Sequence, residues 1–427
     1  MEDLTTTREL AAYIDAAPSP YHAVAETATR LAATGYAELD RSAGWTDLPD
    51  RGFARHGGSL IAWSSPPDAA PETPFVLVGA HTDSPNLRVR SRPDVGAAGW
   101  RQVGMEVYGG ALVNSWLDRD LGLSGRIVLR NGDGTSTRLL LVDRPLLRVP
   151  QLAIHLDREV NTAGLQLDKQ RHLTPVWGVG DVADGDVTGF VATELDVDPD
   201  DIVAWDLMAH DLTPSALLGR DDELLAAPRL DNLCSSFCGL AALLRSDDRS
   251  PSSRRMLVLF DHEEVGSTTA TGAASAEIRR VIERIVVAAG GGRDELHRAL
   301  VGGYVVSADM AHATHPNYVD RHEPSHHIAV NAGPVIKLNA NQRYASDAET
   351  AARFAVACDR AGVPVQRYVH RNDIPCGSTI GPISAANLGV GTVDVGIAQL
   401  SMHSARELCG AHDPELMVAA LTEVYAG

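Results

Sequence analysis

Cysteine is scarce in this chain. Five cysteines in 427 residues are too few to build a disulfide framework, which agrees with a reducing compartment. Long apolar runs are missing as well, and none would span a bilayer. The opening Met1-Glu-Asp-Leu-Thr5 has neither the basic start nor the apolar centre of a secretory signal, so the expectation is a cytoplasmic protein with no membrane partner. Positive charge is short too. Lys and Arg number 37 against 56 Asp and Glu, a net charge of −19, so nucleic acid and anionic membranes would be repelled over the whole surface. An acidic small substrate stays admissible, since it needs only a local basic pocket. The chain has no internal repeat and no low-complexity tract.

What is present is the composition of a globular protein, 44% hydrophobic and 22% charged, in a chain too long for one ordinary core. Thr7 to Ala16 reads as a helix stopped by Pro18, and Ser19-Pro20 as the cap and first turn of a second helix ending near Gly35, the two forming an outer layer. Gly58 to Ser64 is a short strand, and a proline-rich linker from Pro66 to Pro74 leads into the buried strand Phe75 to Ala80. From about Pro93 to Pro228 short alternating segments, broken by the hairpin signal Asn131-Gly-Asp-Gly, predict an inserted strand-rich domain. Its acidic tail, Asp196 to Asp211, reads as a solvated connection. After Arg229 strands and helices alternate to the end, with strands near Met256 to Phe260, Gly303 to Ala308, Val335 to Asn339, Val365 to Val369 and Gly391 to Gly396. The domains expected are therefore 1–92 with 229–427, and an insertion over 93–228.

The chemistry gathers at strand ends. Met256-Leu-Val-Leu-Phe260 is an apolar strand that stops in Asp261-His-Glu-Glu264, and the carboxyl ends of strands line the ligand crevice of an open α/β sheet. Crowded acids there need a cation, either a basic side chain or a metal. The same pattern recurs at His81-Thr-Asp83, at Asp309 after Tyr304-Val-Val-Ser-Ala, and at His403 after Asp394 to Met402; Asp231 opens a helix, where it serves equally well as an N-cap. Two imidazoles and three carboxylates suit two divalent ions of the zinc, manganese or cobalt type, and the surplus positive charge would favour acidifying a bound water. In Glu263-Glu264 one carboxylate can bind metal while its neighbour acts as general base. Asp83, two residues after His81, is close enough to hydrogen-bond the far ring nitrogen and set the tautomer. Cys234 and Cys238 share a helix face, either as core thiols or as half of a zinc site that lacks a second ligand pair nearby. His262-Glu263-Glu264-Val265-Gly266 lacks the second histidine of the helical zinc motif, and Gly377-Ser-Thr-Ile-Gly381 has Thr where a nucleophile elbow needs Ser.

At these residues the chain resembles the aspartyl aminopeptidase family of two-zinc peptidases. The likeness is carried by Ala80-His-Thr-Asp-Ser-Pro-Asn-Leu-Arg88, Trp116-Leu-Asp-Arg-Asp-Leu121, Ala153-Ile-His-Leu-Asp157, Arg229-Leu-Asp-Asn-Leu233 and Phe260-Asp-His-Glu-Glu-Val-Gly-Ser267. It continues through Ser307-Ala-Asp-Met-Ala-His312, His315-Pro-Asn-Tyr318, Asn341-Gln-Arg-Tyr-Ala-Ser346, Cys376-Gly-Ser-Thr-Ile-Gly-Pro382 and Gln399-Leu-Ser-Met-His-Ser-Ala-Arg-Glu407, and so covers almost the whole chain. The resemblance implies an α/β catalytic domain of three layers around a mixed central sheet, interrupted by a β-rich dimerisation or lid domain. It also implies a tetrahedral homo-oligomer of twelve subunits.

The resemblance implies roles as well. His81 and Asp309 would hold one zinc, Glu264 and His403 the other, and Asp231 would bridge both. Asp83 would orient His81, and Glu263 would be the base for attack by the hydroxide between the ions. His155 would reach the active site of a neighbouring subunit, and His312, Lys337 and Tyr344 would line the pocket for the first residue of a peptide substrate. The implied activity is removal of an N-terminal residue, Asp or Glu by preference. The alternatives are a two-zinc aminopeptidase preferring neutral residues, a related metal-dependent carboxypeptidase or deacetylase, and a non-enzymatic scaffold that has kept the fold.

Overall fold

A computed structural model describes residues 4–247 and 252–427. Met1–Asp3, part of the opening stretch weighed as a signal sequence, lie outside them. The chain divides into two compact units, one made of 1–83, 215–402 and 407–427, the other of 84–214 and 403–406. The inserted unit thus begins at Ser84 rather than at 93 and ends at Pro214 rather than at 228. The reason is local: Asn86–Ala97 is already a strand of the inserted sheet, whereas Ala216–Leu218 and Leu224–Ala227 pair within the first unit.

The first unit is built on a nine-stranded mixed sheet. Its middle is parallel: Arg254–Phe260 pairs with Phe75–His81, that strand with Tyr304–Ala308, and that one with Thr392–Gly396. Val335–Leu338 follows antiparallel to Thr392–Gly396, and the Arg51–His56 and Ser59–Ser64 hairpin closes the other side on Arg254–Phe260. Every residue of Phe75–His81 and Arg254–Phe260 is buried, as the unbroken apolar runs predict for strands covered on both faces.

Alternate residues of these strands feed two different cores. Val76, Val78, Leu257 and Leu259 pack with the helices Thr5–Asp15, Pro20–Ala33, Leu230–Arg245, Ala348–Ala361 and Asp413–Ala426. Leu77, Met256, Val258 and Phe260 pack with Glu277–Ala288, Arg293–Val301 and Ile380–Leu388. The period-two alternation of a strand therefore produces the expected three layers. Ser19 caps the second helix by accepting the His22 N–H, with Pro20 in the first turn, as the sequence predicts. A smaller five-stranded sheet joins Ala216–Leu218, Leu224–Ala227, Glu407–Gly410, Ala398–Leu400 and Ala311–His312.

The second unit is a six-stranded antiparallel sheet with one longer helix, Asp186–Leu195, on its core. The predicted hairpin is present: Leu121–Asn131 and Gly134–Leu147 pair antiparallel, with a register shift between Leu121 and Leu123 and regular pairing from Leu123 to Asn131 opposite Gly134, and Gly132 takes the positive φ the two-residue turn requires. One expectation fails here. Much of the acidic stretch from Asp196 to Asp211 is not a solvated connection, because Ile202–Asp211 is a strand in the middle of this sheet, paired on both sides. Its apolar Leu207, Met208 and Ala209 are buried, and Asp211 is tied to Arg119, so composition misled where pairing decided.

Candidate active site

Three strand ends of the first unit and one helix start converge. His81 is the last residue of its strand and is 1% exposed. Its Nε2 lies 3.3 Å from Asp231 Oδ1 and 3.6 Å from Asp309 Oδ1. Asp309 follows the Tyr304–Ala308 strand, and its N–H donates to the Val395 carbonyl at 2.9 Å. The helix Leu230–Arg245 ties these pieces together: the Asn232 side-chain amide donates to the Ala308 carbonyl at 2.9 Å, and the Ser236 hydroxyl to the His81 carbonyl at 2.8 Å.

Asp83 does more than the sequence suggests. His81 Nδ1 lies 2.9 Å from the Asp83 main-chain carbonyl and 3.4 Å from its carboxylate, so the ring is held first by the backbone. The carboxylate accepts the main-chain N–H groups of Glu263 and Glu264 at 3.0 and 3.1 Å. These two residues open a single 3-10 turn between His262 and Gly266, both at positive φ. Asp83 thus fixes the imidazole and the paired glutamates at once.

The electrostatics follow from burial. Burial pushes the Glu263 carboxyl up to about 8; His81 opposes this, and Asp309, Asp231 and Asp83 add to it. Burial also disfavours charge on His81, but Asp231, Asp309 and Asp83 outweigh it and hold the imidazole well above its ordinary range. So dense a set of carboxylates around one imidazole is a cation-seeking arrangement. One donor atom each from His81, Asp231 and Asp309 lies within 4.8 Å of the others, and the same holds for His81, Glu263 and Glu264. Imidazole nitrogen with carboxylate oxygen and no thiolate is a donor set that fits zinc, manganese or cobalt.

The other expected site residues fall as follows. Lys337 lies inside Val335–Leu338, is 2% exposed, and donates to Asp309 Oδ2 and to the Met310 carbonyl, each at 3.2 Å. Tyr344 is buried with its ring 5.2 Å from the Lys337 ammonium, and His312 stands edge-on to Tyr368 at 6.1 Å. In the second unit, His403 has a positive φ and its Nδ1 lies 3.1 Å from the Gly110 carbonyl. His155 is exposed in an irregular segment beside the exposed Leu152, Ile154 and Leu156.

Two residues of the acidic strand end are not part of the cluster. Asp261 accepts the His262 N–H, and His262 Nδ1 meets the hydroxyls of Thr269 and Thr271, so both shape the following loop. Cys234, Cys238 and Cys409 are buried free thiols, and among the described residues no candidate metal group contains a cysteine. Asp394 was not singled out by the sequence. It is fully buried and accepts the Ser307 and Thr379 hydroxyls at 2.7 and 2.5 Å and the Ala345 N–H at 2.6 Å, joining the Asp309 strand to the Tyr344 loop. The one available signal was an acid enclosed by valines in Thr392-Val-Asp-Val-Gly396.

Comparison with known proteins agrees with this geometry. The family described as aminopeptidase I zinc metalloprotease (M18) matches residues 13–425. A probable M18 family aminopeptidase 2 of Mycobacterium tuberculosis is 56% identical over 422 residues, covering 97% of each chain. Among solved structures, a chain of the Ape4 and Nbr1 complex superposes with a TM-score of 0.95 at 36% identity, over 99% of this chain and 85% of that one. The Saccharomyces mApe1 dodecamer superposes with a TM-score of 0.85 at 26% identity, over 98% of this chain and 96% of its own. No described helix is long and apolar enough to cross a membrane. With imidazole and carboxylates converging at the ends of a mixed sheet, and with the family pattern running almost end to end, the chain belongs to the M18 family of zinc metalloprotease aminopeptidases.

Proposed function

We propose that the protein removes an acidic residue, Asp or Glu, from the N-terminus of peptides, with two zinc ions and Glu263 as the general base. The observation that carries this reading is the convergence of His81, Asp231 and Asp309 beside Glu263 and Glu264. In this reading His81 and Asp309 hold one ion, Glu264 and His403 the other, and Asp231 serves both; manganese or cobalt would satisfy the same donors. The ions, when bound, supply Lewis-acid polarisation of the scissile carbonyl and a water acidified toward neutral pH.

The chain's own residues do the rest. Glu263, next to a ligand yet spare in the ligand count, takes a proton from the attacking water and returns it to the leaving amine. The Asp83 main chain keeps His81 Nδ1 engaged so that Nε2 faces Asp231 and Asp309. His312, Lys337 and Tyr344 receive the first side chain of the substrate. Subunits assemble as a tetrahedral dodecamer in which His155 completes the site of a neighbour.

A second reading, a preference for neutral first residues, has one observation in its favour. The Lys337 ammonium is already committed to Asp309, so less of its charge is left for a substrate carboxylate. Hydrolysis of a panel of aminoacyl reporter substrates decides between the two, and blocking the substrate amine separates both from carboxypeptidase or deacetylase action. Metal analysis tests the ion count: a single ion per subunit at saturating zinc overturns the two-ion mechanism.

A further inference from the structure

The helix that carries Asp231 is kinked at its start. Arg229 occupies the N-cap position at φ 56° and its side chain accepts no hydrogen bond from the first turn. Asp231, at φ −83° and ψ 101°, and Asn232, at φ −128° and ψ 27°, both depart from helical geometry, so the backbone at Asp231 is not set by helical hydrogen bonding. An acceptor for its main-chain N–H comes from far along the chain. Glu407 Oε2 accepts the Asp231 N–H at 2.9 Å across a sequence separation of 176 residues.

Glu407 is built into place. It is 2% exposed, opens the strand Glu407–Gly410 and lies in register opposite Ala227, the last residue of the strand that runs directly into Asp231. Its other oxygen takes the side-chain amide of the buried Gln399 at 3.4 Å, on the next strand of the same sheet. An N–H bonded to a carboxylate is stronger than one bonded to a neutral oxygen, and this one acts on the main chain of the residue assigned to both ions.

We propose that Glu407 is a positioning residue that sets the backbone of Asp231, and thereby the direction of its carboxylate and the affinity of the site for its ions. This rests on the two-ion reading of the site. The residue belongs to the segment Gln399 to Glu407, whose histidine is assigned to the metal and whose terminal glutamate has had no role.

The test uses the full chain in its native assembly and measures zinc affinity by competition with a chromogenic chelator, alongside kcat and KM. Glu407→Ala is expected to weaken zinc binding roughly 10- to 100-fold and to lower kcat with KM unchanged, as loss of a group supporting a ligand does. Glu407→Gln keeps an oxygen for the Asp231 N–H and is expected to stay close to wild type in both. A folded alanine variant with wild-type zinc affinity, or a glutamine variant that falls as far as alanine, overturns the proposal. Where the alanine variant does not fold, Glu407→Asp keeps the charge but draws the oxygen away from the amide. Zinc affinity higher in the Gln than in the Asp variant supports positioning; equal or reversed affinities overturn it. Asp231→Ala examines the underlying reading separately, since wild-type affinity for both ions in that variant removes Asp231 from the site whatever Glu407 does.

Discussion

The Lys337 ammonium lies 3.2 Å from the Asp309 carboxylate, and Lys337 is one of the largest fully buried side chains of the described residues. A lysine inside an apolar strand carries a desolvation cost that its ion pair and the Met310 carbonyl offset. The same ammonium stands 5.2 Å from the Tyr344 ring, so a candidate metal ligand and a candidate pocket wall share one cation.

Replacing Lys337 with Met should therefore cut hydrolysis of aspartyl substrates by roughly 30- to 5,000-fold, the equivalent of roughly 2–5 kcal/mol for a desolvated charge partner, and leucyl hydrolysis much less. The ratio of the two rates in wild type and variant is the measurement. An unchanged ratio accompanied by zinc loss means that Lys337 works through Asp309 alone and that the acidic pocket is wrongly assigned.

Glu263→Gln should keep both ions and lose roughly 10²–10⁴-fold in turnover, the usual worth of a positioned general base. Metal content and kcat measured on the same preparation decide it. If metal disappears in proportion to activity, Glu263 is the ligand and Glu264 the base.

His155 sits in the second unit, exposed and remote in sequence from every candidate ligand of the first. Mixed oligomers of His155→Ala subunits with Glu263→Gln subunits should recover part of the activity that neither variant has alone. Verified mixed oligomers without any recovery would count against a site shared between subunits.

His22 offers a stability test away from the catalytic residues. Burial, with Arg229 adding to it, lowers its pKa to about 4 from an ordinary 6.5, while Nδ1 lies 2.7 Å from the Ser19 hydroxyl. Because the unfolded chain binds this proton first, the contribution is fully present above pH 6.5 and is lost as pH falls toward 4. At 1.36 kcal/mol per pKa unit the loss approaches roughly 3 kcal/mol. Urea unfolding of wild type and His22→Gln, both with a chelator present so that metal loss affects neither, should show a shallower acid loss in the variant. Parallel pH profiles would rule the account out.

How much of this was readable beforehand depends on the range of the interaction. Unbroken apolar runs marked Phe75 to Ala80 and Met256 to Phe260 as buried strands, and hydrophobicity then placed His81, Glu263 and Asp309 at or just past strand ends, because a chain leaving a covered sheet turns polar where it meets the crevice. Ser19-Pro20 and the Gly132 turn were equally local signals. The Ile202–Asp211 strand was not legible, since its acidic composition resembles a linker and only pairing with two neighbours makes it a strand.

Residue types and their spacing determined which side chains this protein has for chemistry and that they stand at strand ends. Only the tertiary structure decided their partners: Lys337 on Asp309, the Asp83 carboxylate on the Glu263–Glu264 turn, and Glu407 on the Asp231 main chain. Those bonds join residues 28, 180, 181 and 176 positions apart, and a hydrogen bond depends on distance and angle in space, which no spacing along the chain encodes until the sheets have formed.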